Sequence, residues 1–140
     1  MSQSLLTKAQ QIARAARAFQ QRRTGHAPQS VNVVLSEDTL VVTLHGALSP
    51  AETAMAKSGP AGAAQVQEYH RQLFHSSAEP LRQEIKRITG VAVREATVEV
   101  EKTTGAVVQA LPTGAVVQVF MLASSVAAEA WSESGSDNPS

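Results

Sequence analysis

With 140 residues and a hydrophobic content of 43%, the chain is long enough for one core and short for two. Twelve basic and twelve acidic side chains cancel, so no global field steers the protein toward nucleic acid or an anionic lipid surface. The absence of cysteine excludes disulfides, thiolate nucleophiles and zinc-thiolate sites, and a cytoplasmic protein is the expectation.

Residues 4–23 place Leu5, Ala9, Ile12, Ala16 and Phe19 at alternating steps of four and three, which predicts an amphipathic helix with its arginines and glutamines outward. Ser2 or Ser4 is the expected N-cap. Thr24-Gly25 supplies the left-handed exit, and Pro28 ends any continuation. From residue 30 to 48 the spacing changes to period two. Val31, Val33 and Leu35 share one face, and Leu40, Val42 and Leu44 share one face of the next run, with Ser36-Glu37-Asp38 as a polar turn. An antiparallel hairpin with one buried side follows from that pattern.

Ser49-Pro50-Ala51-Glu52 combines a serine N-cap, a proline at the first helical position and a glutamate that closes the capping box, so a short helix starts there. Ser58-Gly59-Pro60-Ala61-Gly62 reads as a linker. Val66, Tyr69, His70 and Leu73 then outline a longer helix, which Ser77-Ala78-Glu79-Pro80 interrupts or kinks. Leu81, Ile85 and Ile88 resume the stripe until Gly90.

Residues 91–101 alternate again, with Val91 and Val93 in one phase and Ala96, Val98 and Val100 in the other, so Arg94-Glu95 marks a bulge or a bend. Thr104-Gly105-Ala106-Val107-Val108-Gln109 recurs as Thr113-Gly114-Ala115-Val116-Val117-Gln118, which predicts two similar strands joined by Leu111-Pro112. Both strands are nearly uncharged, so either would pair with a second copy if left at an edge. The fold class expected is α+β: a four- to five-stranded, mostly antiparallel sheet with amphipathic helices packed on one face. One domain should occupy residues 1–123, with residues 124–140 forming a short helical extension and then a disordered acidic, serine-rich tail.

No catalytic or metal constellation is legible. His70 and His75 lie five apart, which rotates them away from each other on a helix, so the four histidines read as ordinary surface or half-buried residues. No serine sits in a nucleophile elbow, and no glycine-rich loop has a phosphate-binding pattern. No cofactor is expected. The alternative reading is a small-molecule or anion-binding regulatory module with its ligand at His45, Gly46 and Ser49, where a strand turns into a helix start. Arg14, Arg17, Arg22 and Arg23 form a basic helix face; with aromatics at 4%, it reads as a partner surface and not a nucleic-acid interface. The first thirty residues carry no acid, whereas Glu95, Glu99, Glu101, Glu129, Glu133 and Asp137 meet only Lys102, so a homodimer is electrostatically plausible. No apolar stretch approaches the roughly 20 residues of a spanning helix, so direct membrane insertion is not expected.

The order of Thr24-Gly25-His26-Ala27-Pro28, Leu48-Ser49-Pro50-Ala51-Glu52, Glu68-Tyr69-His70-Arg71 and Ile88-Thr89-Gly90-Val91 resembles the MpsC-like domain family over about residues 5–122. The resemblance implies an association with Na+-translocating or bicarbonate-accumulating membrane systems. Within such a system the chain would be a non-enzymatic soluble accessory protein beside a membrane subunit, and no catalytic residues are implied.

Overall fold

The computed structural model describes residues 7–100, 115–126 and 135–137. Helix α1 runs Lys8–Thr24, and its N-cap is Thr7, not Ser2 or Ser4. Thr7 Oγ1 accepts from Gln10 N at 3.0 Å while Gln10 Oε1 accepts from Thr7 N at 3.0 Å. This Thr-x-x-Gln box satisfies two of the amides that a helix start leaves without partners. Gly25, at φ 77°, closes the other end and donates to Gln21 O.

Strands β1 (Ser30–Ser36) and β2 (Thr39–His45) form the expected hairpin, in register from Ser30↔His45 to Ser36↔Thr39. The turn holds Glu37 at φ 58°, a left-handed conformation that costs a side-chain-bearing residue energy. Helix α2 (Pro50–Lys57) begins at the Ser49 capping box. Helices α3 (Pro60–Ser77) and α4 (Glu79–Thr89) divide at Ala78, with Pro80 in the first turn of α4. Pro60-Ala61-Gly62, expected to be linker, is instead the first turn of α3. Proline is pre-organised for that position and lacks only an amide that the helix does not use.

Strands β3 (Val93–Val100), β4 (Val116–Leu122) and the three-residue β5 (Gly135–Asp137) complete an antiparallel sheet ordered β3-β4-β2-β1-β5. The architecture is α+β. The predicted bulge is present, as a register shift between Val93 and Glu95. The second Thr-Gly-Ala-Val-Val-Gln copy leads into β4, which lies between β3 and β2 and so has no free edge; the first copy falls outside the described residues. Gly135–Asp137 belong to the stretch expected to be a disordered tail, yet they pair with Val31–Val33 and occupy the ladder that β1 would otherwise expose. The helical extension expected after residue 124 is not seen at residues 124–126, and residues 127–134 lie outside the described set.

The sheet buries one phase of each strand. Val31 and Val33, Leu40, Val42 and Leu44, Val98, and Val116, Phe120 and Leu122 are each under 4% exposed. These side chains join Ile12, Ala13 and Ala16 of α1, Val66 and Phe74 of α3, and Leu81, Ile85 and Ile88 of α4 in one apolar cluster. Helix α1 lies against β1, β2 and α4, while α3 lies against β3 and α2. Lys8 ties α1 to α4 by donating Nζ to Ile88 O at 2.8 Å, a cation on the negative end of a helix.

Candidate functional site

Three polar side chains are buried among the described residues: Gln20 at 7% exposure, His70 at 3% and Gln118 at 5%. Each stands in an apolar row. Gln20 follows Ala16 by one helical turn, His70 lies between Val66 and Phe74 on α3, and Gln118 lies between Val116 and Phe120 on the core face of β4. Burying a polar group this way is unfavourable unless it finds a partner.

His70 finds one. Its Nε2–H donates to Glu52 Oε2 at 2.9 Å. The other carboxylate oxygen, Oε1, accepts from Ser49 N at 2.9 Å, and Ser49 Oγ accepts from Glu52 N at 3.2 Å. One glutamate therefore caps α2 and anchors the buried imidazole of α3. The close crossing of the two helices permits this: a Cβ at Gly62 would stand 2.2 Å from Met55 O, so only glycine lets α3 start against the end of α2. Tyr69 meets the His70 ring edge-on with centroids 5.2 Å apart.

Gln20 and Gln118 do not find partners. Gln20 Nε2 and Gln118 Oε1 are both buried without a hydrogen bond, a donor and an acceptor each carrying a desolvation penalty of about 1–3 kcal/mol. Together with His70 they border one cavity of about 30 Å³, whose other walls are mostly apolar: Phe19, Leu73, Phe74, Leu81 and Val98. Two wider, open clefts lie on the described surface. One, of about 450 Å³, runs past Ser49, Glu52, Met55 and Tyr69; the other, of about 520 Å³, runs past His26, Gln29, Gly46 and Pro50.

The sequence-predicted residues fall elsewhere. His45 projects from the end of β2, where Asn32 Nδ2 donates to its Nε2 at 3.1 Å. Gly46, at φ 62°, offers its carbonyl to His26 Nε2–H at 3.1 Å. Ser49 is engaged with Glu52, so the corner's polar groups are held by neighbours within the chain. Of the basic face, Arg14 is exposed and Arg17 half-buried, while the Arg22 and Arg23 guanidinium groups lie 5.0 and 5.8 Å from the centre of the Phe19 ring. Of the two, Arg23 lines the same cavity as Phe19.

The Glu52–His70 pair and the two glutamines were missed by sequence reasoning, although a signal was there. Each polar residue sits in phase with an apolar stripe, which demands a partner that spacing alone cannot name.

The family model described as Na+-translocating membrane potential-generating system (MpsC) matches residues 6–111. The chain belongs to the MpsC family. The MpsC match spans every element from α1 through β3 and includes Gln20, Glu52 and His70, whereas Gln118 lies beyond it on β4. No curated protein and no solved structure matches the chain.

Proposed function

We propose that the chain is a non-enzymatic accessory component of a Na+-translocating, membrane-potential-generating system, acting by contact with membrane-embedded subunits. Membership of the MpsC family is the observation that carries this reading. No helix among the described residues is long and apolar enough to cross a membrane. A chain tied to a membrane system in that way works through its surface. The basic turn at the end of α1, with Arg14 nearby, is the contact face we assign, and a cytoplasmic protein working as a homodimer fits the opposed charges of the two ends of the chain.

A non-enzymatic role is supported by how the ionisable groups are used. Glu52 and His70 satisfy each other, and Glu68, Glu79 and Glu84 pair with Arg71, Arg82 and Arg87 on exposed helix surfaces. The test is co-sedimentation of the purified chain with membranes from its native host. Saturable binding to those membranes, absent with protein-free vesicles of the same lipids and weakened when Arg14, Arg22 and Arg23 are changed to alanine, is the expected result. Equal partitioning to both kinds of vesicle would contradict a protein contact.

A further inference from the structure

The buried glutamines pose a chemical question that the proposed accessory role leaves open. Native proteins leave few buried polar atoms without partners, and those that remain call for an explanation. Two such atoms, Gln20 Nε2 and Gln118 Oε1, border the same cavity and are opposite in hydrogen-bonding sign. His70 on the same wall is already held by Glu52.

We infer that this cavity, between the end of α1, the middle of α3 and the core face of β4, binds a small uncharged molecule whose head group both accepts and donates, as a primary amide does. Its carbonyl oxygen accepts from Gln20 Nε2–H, and its N–H donates to Gln118 Oε1. A carboxylate would satisfy Gln20 and lie near Arg23, which also lines the cavity, but it would set its lone pairs against the Gln118 carbonyl. An ammonium group would satisfy Gln118 and set its protons against the Gln20 amide. Neutral donor–acceptor heads alone satisfy both. The apolar walls of Phe19, Leu73, Phe74 and Val98 suit a short alkyl stem. The volume of about 30 Å³ limits the guest to a few non-hydrogen atoms, since a single water needs roughly 10–15 Å³ of such space and benzene fills an apolar cavity of about 150 Å³.

Acetamide is the probe. The side-chain amide of Gln20 gives its own pair of signals in a 1H–15N correlation spectrum, which also reports whether each variant is folded. Titrating the full chain with acetamide should shift the Gln20 side-chain pair along a saturating curve, with a dissociation constant of about 0.1–10 mM as expected for a four-atom ligand. Acetate and methylammonium, its charged counterparts, should produce no saturable shift. Gln118→Leu should weaken acetamide binding about tenfold or more, and Gln20→Met, read from the amides of Leu73 and Phe74, should do the same. Three results would overturn the inference: no saturable acetamide shift in a folded chain, saturation by acetate of equal strength, or unchanged affinity in both variants. A high-resolution structure grown in 50 mM acetamide that shows only ordered water in the cavity would also overturn it.

Discussion

Replacing Glu52 with alanine should be far more damaging than its place on a short surface helix suggests. Two losses combine. Without the carboxylate, Ser49 N loses its partner at the start of α2, worth about 1 kcal/mol for an N-terminal cap. The Nε2–H of His70, whose side chain is 2% exposed, is then left buried without an acceptor, at about 1–3 kcal/mol. The sum is about 2–4 kcal/mol, a large share of the stability of a small domain. Urea unfolding followed by far-ultraviolet circular dichroism would measure it, with an unchanged slope confirming that the midpoint reports stability. Ser49→Ala removes the other half of the same box, the bond from Glu52 N to Ser49 Oγ, without touching His70, and should cost about 1 kcal/mol. His70→Phe removes the buried donor, so Glu52→Ala made in that background should cost only the cap, giving a coupling of about 1–3 kcal/mol in the double-mutant cycle. If Glu52→Ala matched Ser49→Ala within about 0.5 kcal/mol in the native background, the bond to His70 would contribute nothing to stability.

Helix propensity favours Gly62→Ala by up to about 1 kcal/mol, yet a methyl group 2.2 Å from Met55 O must push α2 and α3 apart, so a fall in the urea midpoint is expected and a rise would contradict the close crossing. Ile88→Ala, at a position 4% exposed beneath the end of α4, should destabilise by about 2–5 kcal/mol, and near-zero loss would remove it from the core. Glu37→Asn should raise stability by several tenths of a kcal/mol, roughly, because asparagine tolerates the left-handed turn conformation better; a lower midpoint would mean that the glutamate side chain matters there. Hydrogen bonding from Arg87 holds the Glu84 carboxyl below its ordinary 4.5. A lowered folded-state value gives stability that is present above the unfolded value and lost as the pH falls through the folded one. Glu84→Gln should therefore lower stability slightly at pH 7, where that contribution is present, and by less at pH 3, which flattens the acid limb; an equal effect at pH 7 and pH 3 would contradict it.

The elements were legible where local chemistry sets them. Ser49-Pro50-Ala51-Glu52, the paired phases of Val31 to Leu35 and Leu40 to Leu44, the Arg94-Glu95 bulge and the Gly25 and Gly90 exits all depend on neighbours within a few residues. Thr7 was legible too, since Thr-x-x-Gln is a capping box, but the apolar Leu5 extended the helical stripe toward the earlier serines. The candidate site was not legible because its parts meet across the fold. Glu52 and His70 are 18 residues apart, and only the Gly62 crossing brings them together. Gln20 and Gln118 come from opposite ends of the described chain and share a wall because α1 lies on a sheet in which β4 is central. The pairing of Gly135–Asp137 with β1 was hidden for a different reason: it rests on backbone hydrogen bonds, which a small polar sequence makes without advertising them.

The proposed role of this MpsC-family chain is to serve a Na+-translocating membrane system through contact. Inverted membrane vesicles from a host strain lacking the chain, with the potential followed by a voltage-sensitive dye on addition of Na+, test it most directly. The expected result is a diminished Na+-dependent potential that purified wild-type chain restores and the Arg14, Arg22 and Arg23 triple alanine variant does not. A full potential in vesicles without the chain would contradict it.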